Sequence, residues 1–82
     1  MKVGDQILCL VDEYHRGNKE QTVGTILYFH KGYASIVYLS GHHSRNDDIP
    51  KEDIQAVVDE SKPWITIGQY SGYFNTEIIY ED

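Results

Sequence analysis

The residues best suited to chemistry lie in two polar stretches. Residues 40–48 read Ser-Gly-His-His-Ser-Arg-Asn-Asp-Asp and bring His42, His43, Asp47 and Asp48 within a few positions. Imidazole and carboxylate groups are ligands for zinc and other divalent metals. Adjacent histidines on an extended segment point to opposite sides, however. No third histidine or cysteine sits at a recognised ligand spacing, and a solvated loop explains the cluster more simply. Asp12, Glu13 and His15 offer groups for general acid–base work, but that chemistry needs a pocket and a shifted pKa. Ser40 and Ser44 stand near the histidines without a nucleophile-elbow pattern. Gly17, Gly24, Gly32, Gly41, Gly68 and Gly72 are scattered and build no phosphate cradle. The expectation is a protein that is not an enzyme, with no cofactor and no metal site.

Binding is the better prospect. Seven of the aromatic residues are tyrosines, each with a flat apolar body and a polar tip suited to half-buried strands and binding surfaces. The candidate binding residues are Tyr28, Tyr33, Tyr38, Trp64, Tyr70, Tyr73 and Phe74, with the carboxylates Asp47, Asp48, Glu52 and Asp53. Cys9 is the single cysteine. It lies in the apolar run Ile7–Val11 and reads as a buried small hydrophobe rather than a reactive thiol, which needs an exposed, electropositive setting.

Charge narrows the partners. The net charge is -6, and it is uneven. Residues 1–45 carry five basic and four acidic groups, a balance of +1; residues 46–82 carry two basic and nine acidic groups, a balance of -7. A nucleic-acid binder needs a basic footprint, so direct nucleic-acid binding is not expected. An acidic half attracts a protein partner with a basic surface, and such charge also serves solubility. No segment reaches the ~20 apolar residues of a membrane span, and the N-terminus lacks a signal-peptide pattern. The expected setting is cytoplasmic.

The elements that must position these residues read as strands and turns in one domain, with residues 1–61 as the core and 62–82 as a C-terminal hairpin packed on it. Residues 6–12 form a strand apolar on both faces, with Ile7, Cys9 and Val11 on one and Leu8 and Leu10 on the other. A half-exposed antiparallel strand would alternate. This one is therefore covered on both sides, by the rest of the chain or by a second subunit in a homo-oligomer. Residues 13–21 are a polar loop built round Gly17-Asn18. Residues 22–30 and 33–39 pair as a hairpin across Lys31-Gly32. The first strand sets Val23, Leu27 and Phe29 against Ile26, Tyr28 and His30. The second sets Ala34, Ile36 and Tyr38 against Tyr33, Ser35, Val37 and Leu39. Residues 40–48 are a loop or a short edge strand. Pro50 opens either a helix to about Val58 or a single 3₁₀ turn followed by a strand over 55–59. After Ser61-Lys62-Pro63, residues 64–70 form a strand, 71–75 its turn, and 76–80 the return.

Val3-Gly4-Asp5, the Thr22–Leu39 hairpin, and Ile49-Pro50-Lys51-Glu52-Asp53-Ile54 before a short last strand resemble an SH3-like small β-barrel of the Tudor or KOW kind over residues 3–59. The fold class is therefore mainly β: a small barrel or a strongly twisted antiparallel sheet, with one short helix or 3₁₀ turn and the C-terminal hairpin. The resemblance implies a binding module. Tudor-type modules use an aromatic cage, to which Tyr14, Tyr28, Tyr33 and Tyr38 would contribute. The chain departs from KOW modules in lacking basic loops. Lys62-Pro63-Trp64 and the hairpin after it also look like the end of the phage uracil-DNA glycosylase inhibitor family, acidic β-sheet proteins that mimic DNA, although that family's inserted edge strand has no counterpart here. The leading functional reading is a non-catalytic protein-binding module. The alternative is an acidic inhibitor encoded by a phage or mobile element, occupying a basic groove of a host enzyme. It requires Asp47, Asp48, Glu52, Asp53, Asp59 and Glu60 to form one negative surface.

Overall fold

In the computed structural model, residues 1–78 are described. They form seven strands: β1 (Gln6–Val11), β2 (Glu20–His30), β3 (Tyr33–Ser40), β4 (His43–Pro50), β5 (Ile54–Val58), β6 (Trp64–Ile67) and β7 (Tyr70–Asn75). A 3₁₀ turn, Lys51–Asp53, separates β4 from β5. Three connections are two-residue hairpin turns: Lys31-Gly32, Gly41-His42 and Gly68-Gln69. Lys31 and Gly32 both have positive φ, at 43° and 83°, which suits the right-handed twist of the strands they join.

The strands lie in the order β4-β3-β2-β1-β5-β7-β6, with antiparallel pairing throughout. The sheet stays open and is not closed into a barrel, so of the two expected forms it takes the twisted sheet. β1 sits at its centre. Ile7, Leu8 and Cys9 follow one another and all are 0% exposed, which requires cover on both faces. On the inner face Ile7, Cys9 and Val11 pack with Ile26, Ala34, Ile36, Tyr38, Ile49 and Ile54. On the outer face Leu8 packs with Ala56 and Phe74, and Val23, Val58, Ile67 and Tyr70 close round them. Each fully buried aliphatic side chain contributes about 1.5–3 kcal/mol. The second cover therefore comes from the chain's own C-terminal hairpin.

Gln21 holds that hairpin down. Its Nε2 donates to Gln55 Oε1 at 2.7 Å and to the Ile67 carbonyl at 3.0 Å, and its Oε1 accepts from the Gln69 amide at 2.9 Å. Gly68, at φ 61°, passes so close that a Cβ there would overlap the Gln21 amide. The Asp59 amide donates to the Tyr73 carbonyl at 2.8 Å, continuing the short β5–β7 ladder.

Four local expectations are corrected or resolved. In β2 the register slips between Ile26 and Tyr28. This bulge at Leu27 lets Ile26 and Phe29 both reach the inner core, while Tyr28 stays with Val23 on the outer side. A bulge adds one residue to one strand and so resets its alternation. The polar stretch after Ser40 is mostly strand: β4 is a regular edge partner of β3 over eight paired positions, Tyr33↔Pro50 to Ser40↔His43. Pro50 leads into the single 3₁₀ turn, and β5 follows at once. The last hairpin turns at Gly68-Gln69, not at 71–75, because Gly68 supplies the positive φ a two-residue turn needs. Residues 71–75 belong to β7, and 76–78 form no strand. The remainder of the expected return strand, 79–80, lies outside the described residues.

Candidate functional site

The hairpin β6–β7 covers only part of the outer face. On the uncovered part, pairing places Val37 opposite Thr25 and Asn46, Leu39 opposite Ser44, and Ser35 opposite Tyr28 and Asp48. Leu39 is 72% exposed, Tyr28 52% and Tyr33 45%. Tyr28, His30 and Tyr33 stack in series, with ring centroids 5.5 and 6.0 Å apart. His30 Nε2 lies 3.4 Å from Asp48 Oδ2 at their margin. A groove of about 450 Å³ separates β2 and β3 from the hairpin, lined by Val23, Thr25, Val37, Leu39 and Tyr70. The face is thus aromatic at the β2–β3 turn and aliphatic at the other end. The hairpin's own outward side carries a second, smaller aromatic pair, Trp64 against Tyr73, edge to face at 5.1 Å.

The remaining candidates fall elsewhere. Tyr38 and Phe74 are core residues at 6% exposure each. Burial, and then the charges of Glu13 and Asp47, push the Tyr38 hydroxyl's pKa up. Asp53 is buried and accepts from Lys19 Nζ at 2.7 Å, which holds the Lys19 pKa above its usual value. Asp47 and Asp48, as neighbours on β4, point to opposite faces. Glu52 is in the 3₁₀ turn, whereas Asp59 and Glu60 follow the far end of β5. The six carboxylates do not share one surface.

Nor do the tyrosines form a cage. Tyr14 lies under Arg16 and Arg45, whose guanidinium carbons are 5.5 and 5.8 Å from its ring centre. Tyr38 is on the inner face, and Tyr28 and Tyr33 are on the outer. Beside Tyr14 is a cavity of about 250 Å³ bounded by Glu13, Arg16, Glu20 and Tyr38. Arg45 Nε stands 3.2 Å from Glu13 Oε1 without hydrogen-bond alignment. Sequence reasoning missed this cluster, which joins a loop residue to β4 across 32 positions of chain and leaves no local pattern.

The loop that carries Tyr14 is stapled by Asp12. Its Oδ1 accepts from the Arg16 amide at 2.9 Å and its Oδ2 from the Gly17 amide at 2.7 Å. The Arg16 hydrogen bond is the main reason the Asp12 pKa lies below the ordinary value. The staple is complete above the unfolded-state value of about 3.9 and is lost as pH falls through the lowered folded value. The protection of the Arg16 and Gly17 amides, taken against the intrinsic exchange rate at each pH, should therefore fall as the pH drops through that lowered value, while the amides in β1 stay protected. Uniform exchange across both would refute the staple.

Cys9 is buried, donates weakly to the Thr22 carbonyl at 3.7 Å, and has its pKa pushed up to about 12, first by burial and then by Asp53 and Asp47. Among the described residues no three His, Cys, Asp or Glu side chains come together as a metal-binding group, and no helix is long and apolar enough to cross a membrane. No family model, curated protein or solved structure matches the chain.

Proposed function

We propose that the chain is a non-catalytic protein-binding module that docks an apolar element of its partner on the uncovered outer face. One observation carries this reading. The C-terminal hairpin seals the outer face over β1 and β5 and stops there, leaving Leu39, Tyr28 and Tyr33 exposed on the same sheet face. Contiguous apolar area rimmed by polar side chains is how interaction surfaces differ from ordinary surface. Asp48 at the margin and the net charge of -6 favour a partner with basic residues round its apolar contact. The acidic-inhibitor reading ranks second: the overall charge favours it, and the separation of the carboxylates weighs against it.

The test is a comparative capture from the native host at low and high salt. A protein retained by the wild type should be lost with Leu39→Ser/Tyr33→Ser and kept with Trp64→Ser/Tyr73→Ser. These positions are exposed, so the fold should tolerate the changes. If both variants retain the same proteins as wild type, this face is not the docking site.

A further inference from the structure

We infer that the chain self-associates through β4, as a two-fold dimer in which β4 pairs antiparallel with β4 of a second copy in a register centred on Asn46. β4 is the terminal strand of the sheet order and runs for eight residues. Edge strands are usually blunted by shortness, bulges, charged side chains, lysine above all, or an internal proline. β4 is neither short nor bulged: its ladder with β3 is unbroken, it carries no lysine, and its only proline is the last residue. Its charges, Arg45, Asp47 and Asp48, disfavour most partners and registers but leave one in which opposite signs meet. The Asp48 amide donates to Asp47 Oδ1 at 2.9 Å, so it points away from β3. By the two-residue period of a strand, the amides of Asn46 and Ser44 also point to the open edge.

Charge then selects the register. Residues directly opposite across a two-fold antiparallel pair must lie on the same face, so the axis passes through a residue. Centred on Asn46, the pairing sets Arg45 opposite Asp47 of the second copy, and Asp47 opposite Arg45. Centred on Asp47 it opposes two aspartates, and centred on Arg45 it opposes two arginines. Like charges directly opposite are destabilising, whereas opposite charges are favourable. Arg45 keeps Glu13 as a neighbour in its own chain, but a guanidinium has five donors and can serve both carboxylates. The axis stands perpendicular to the sheet, so both uncovered outer faces lie on the same side. The inference does not rest on the docking proposal, because it is read on the isolated chain.

Sedimentation of the full chain without any partner should show a dimer. Arg45→Asp and Asp47→Arg should each yield monomer, and the two together should restore the dimer. An Asn46→Cys variant should cross-link to itself on mild oxidation, since a hydrogen-bonded antiparallel pair has Cα atoms about 5.5 Å apart, within disulfide reach. Ser44→Cys, which faces Asp48 rather than its own copy, should not. Leu39→Ser should dimerise as wild type does, even where it abolishes partner capture. A monomeric wild type at millimolar concentration, a dimer untouched by both charge reversals, or equal cross-linking of the two cysteine variants overturns the inference.

Discussion

Replacing Leu8 by alanine should lower the thermal midpoint by about 8 °C or more. Leu8 is 0% exposed and forms the centre of the outer core with Ala56 and Phe74. Truncating a buried leucine costs about 2–5 kcal/mol because the lost contacts are joined by a cavity that collapses only partly. A domain of this size shifts by about 4–8 °C per kcal/mol, and its total stability is about 5–15 kcal/mol. Leu10 is next on the same face but only half-buried. Calorimetry should give Leu10→Ala less than half the Leu8→Ala effect. Equal effects would mean that the hairpin does not seal one side of β1.

The second large effect is at the Gly68–Gln21 contact. Gly68→Ala should destabilise by about 2 kcal/mol or more. Roughly 1–2 kcal/mol comes from placing a Cβ in the left-handed region, and the rest from hydrogen bonds of about 1 kcal/mol each that Gln21 must release to make room. Gln21→Ala removes the obstruction. In that background Gly68→Ala should cost only the backbone part, so urea unfolding of the four proteins should give a coupling energy of about 1 kcal/mol. Strict additivity would show that Gly68 and Gln21 do not obstruct one another. Cutting these contacts should also speed amide exchange in β6 and β7 before it does so in β2 and β3.

The parts of the fold carried by alternation were readable. Ala34, Ile36 and Tyr38 face inward as their spacing indicates, and the run Ile7–Val11 is covered on both faces as its composition demands. What escaped depended on partners distant in sequence. His43 to Asp48 is poor in β-formers, so its sequence allows both a loop and an edge strand; it is the edge strand because β3 offers a ladder and the outward side meets solvent, strand propensity being largely a matter of context. The Leu27 bulge leaves no mark in residue type, and it moved Tyr28 away from Ile26. Gly68 and Gly72 compete as turn residues in the last hairpin. Only Gly68 has positive φ, while Gly72 leaves room under the Phe74 ring. The site was legible as residue types, Tyr28 and Tyr33 above all. Its extent was not, because Leu39 is exposed only through where the hairpin stops, and Tyr38, Phe74 and Asp53 went to the core.

The central place of β1 also sets an order of events. The strand at the start of the chain meets β5 and the cover from β7 last, with Ile7 paired to Val57 and Leu8 packed on Phe74. Closing such long separations is slow. During synthesis Leu8 therefore emerges from the ribosome roughly fifty residues before Ala56 and over sixty before Phe74, at about 5–20 residues per second. For those seconds the most apolar segment of the protein has only β2 beside it, and β1 is the segment that a chaperone or another nascent chain would meet first.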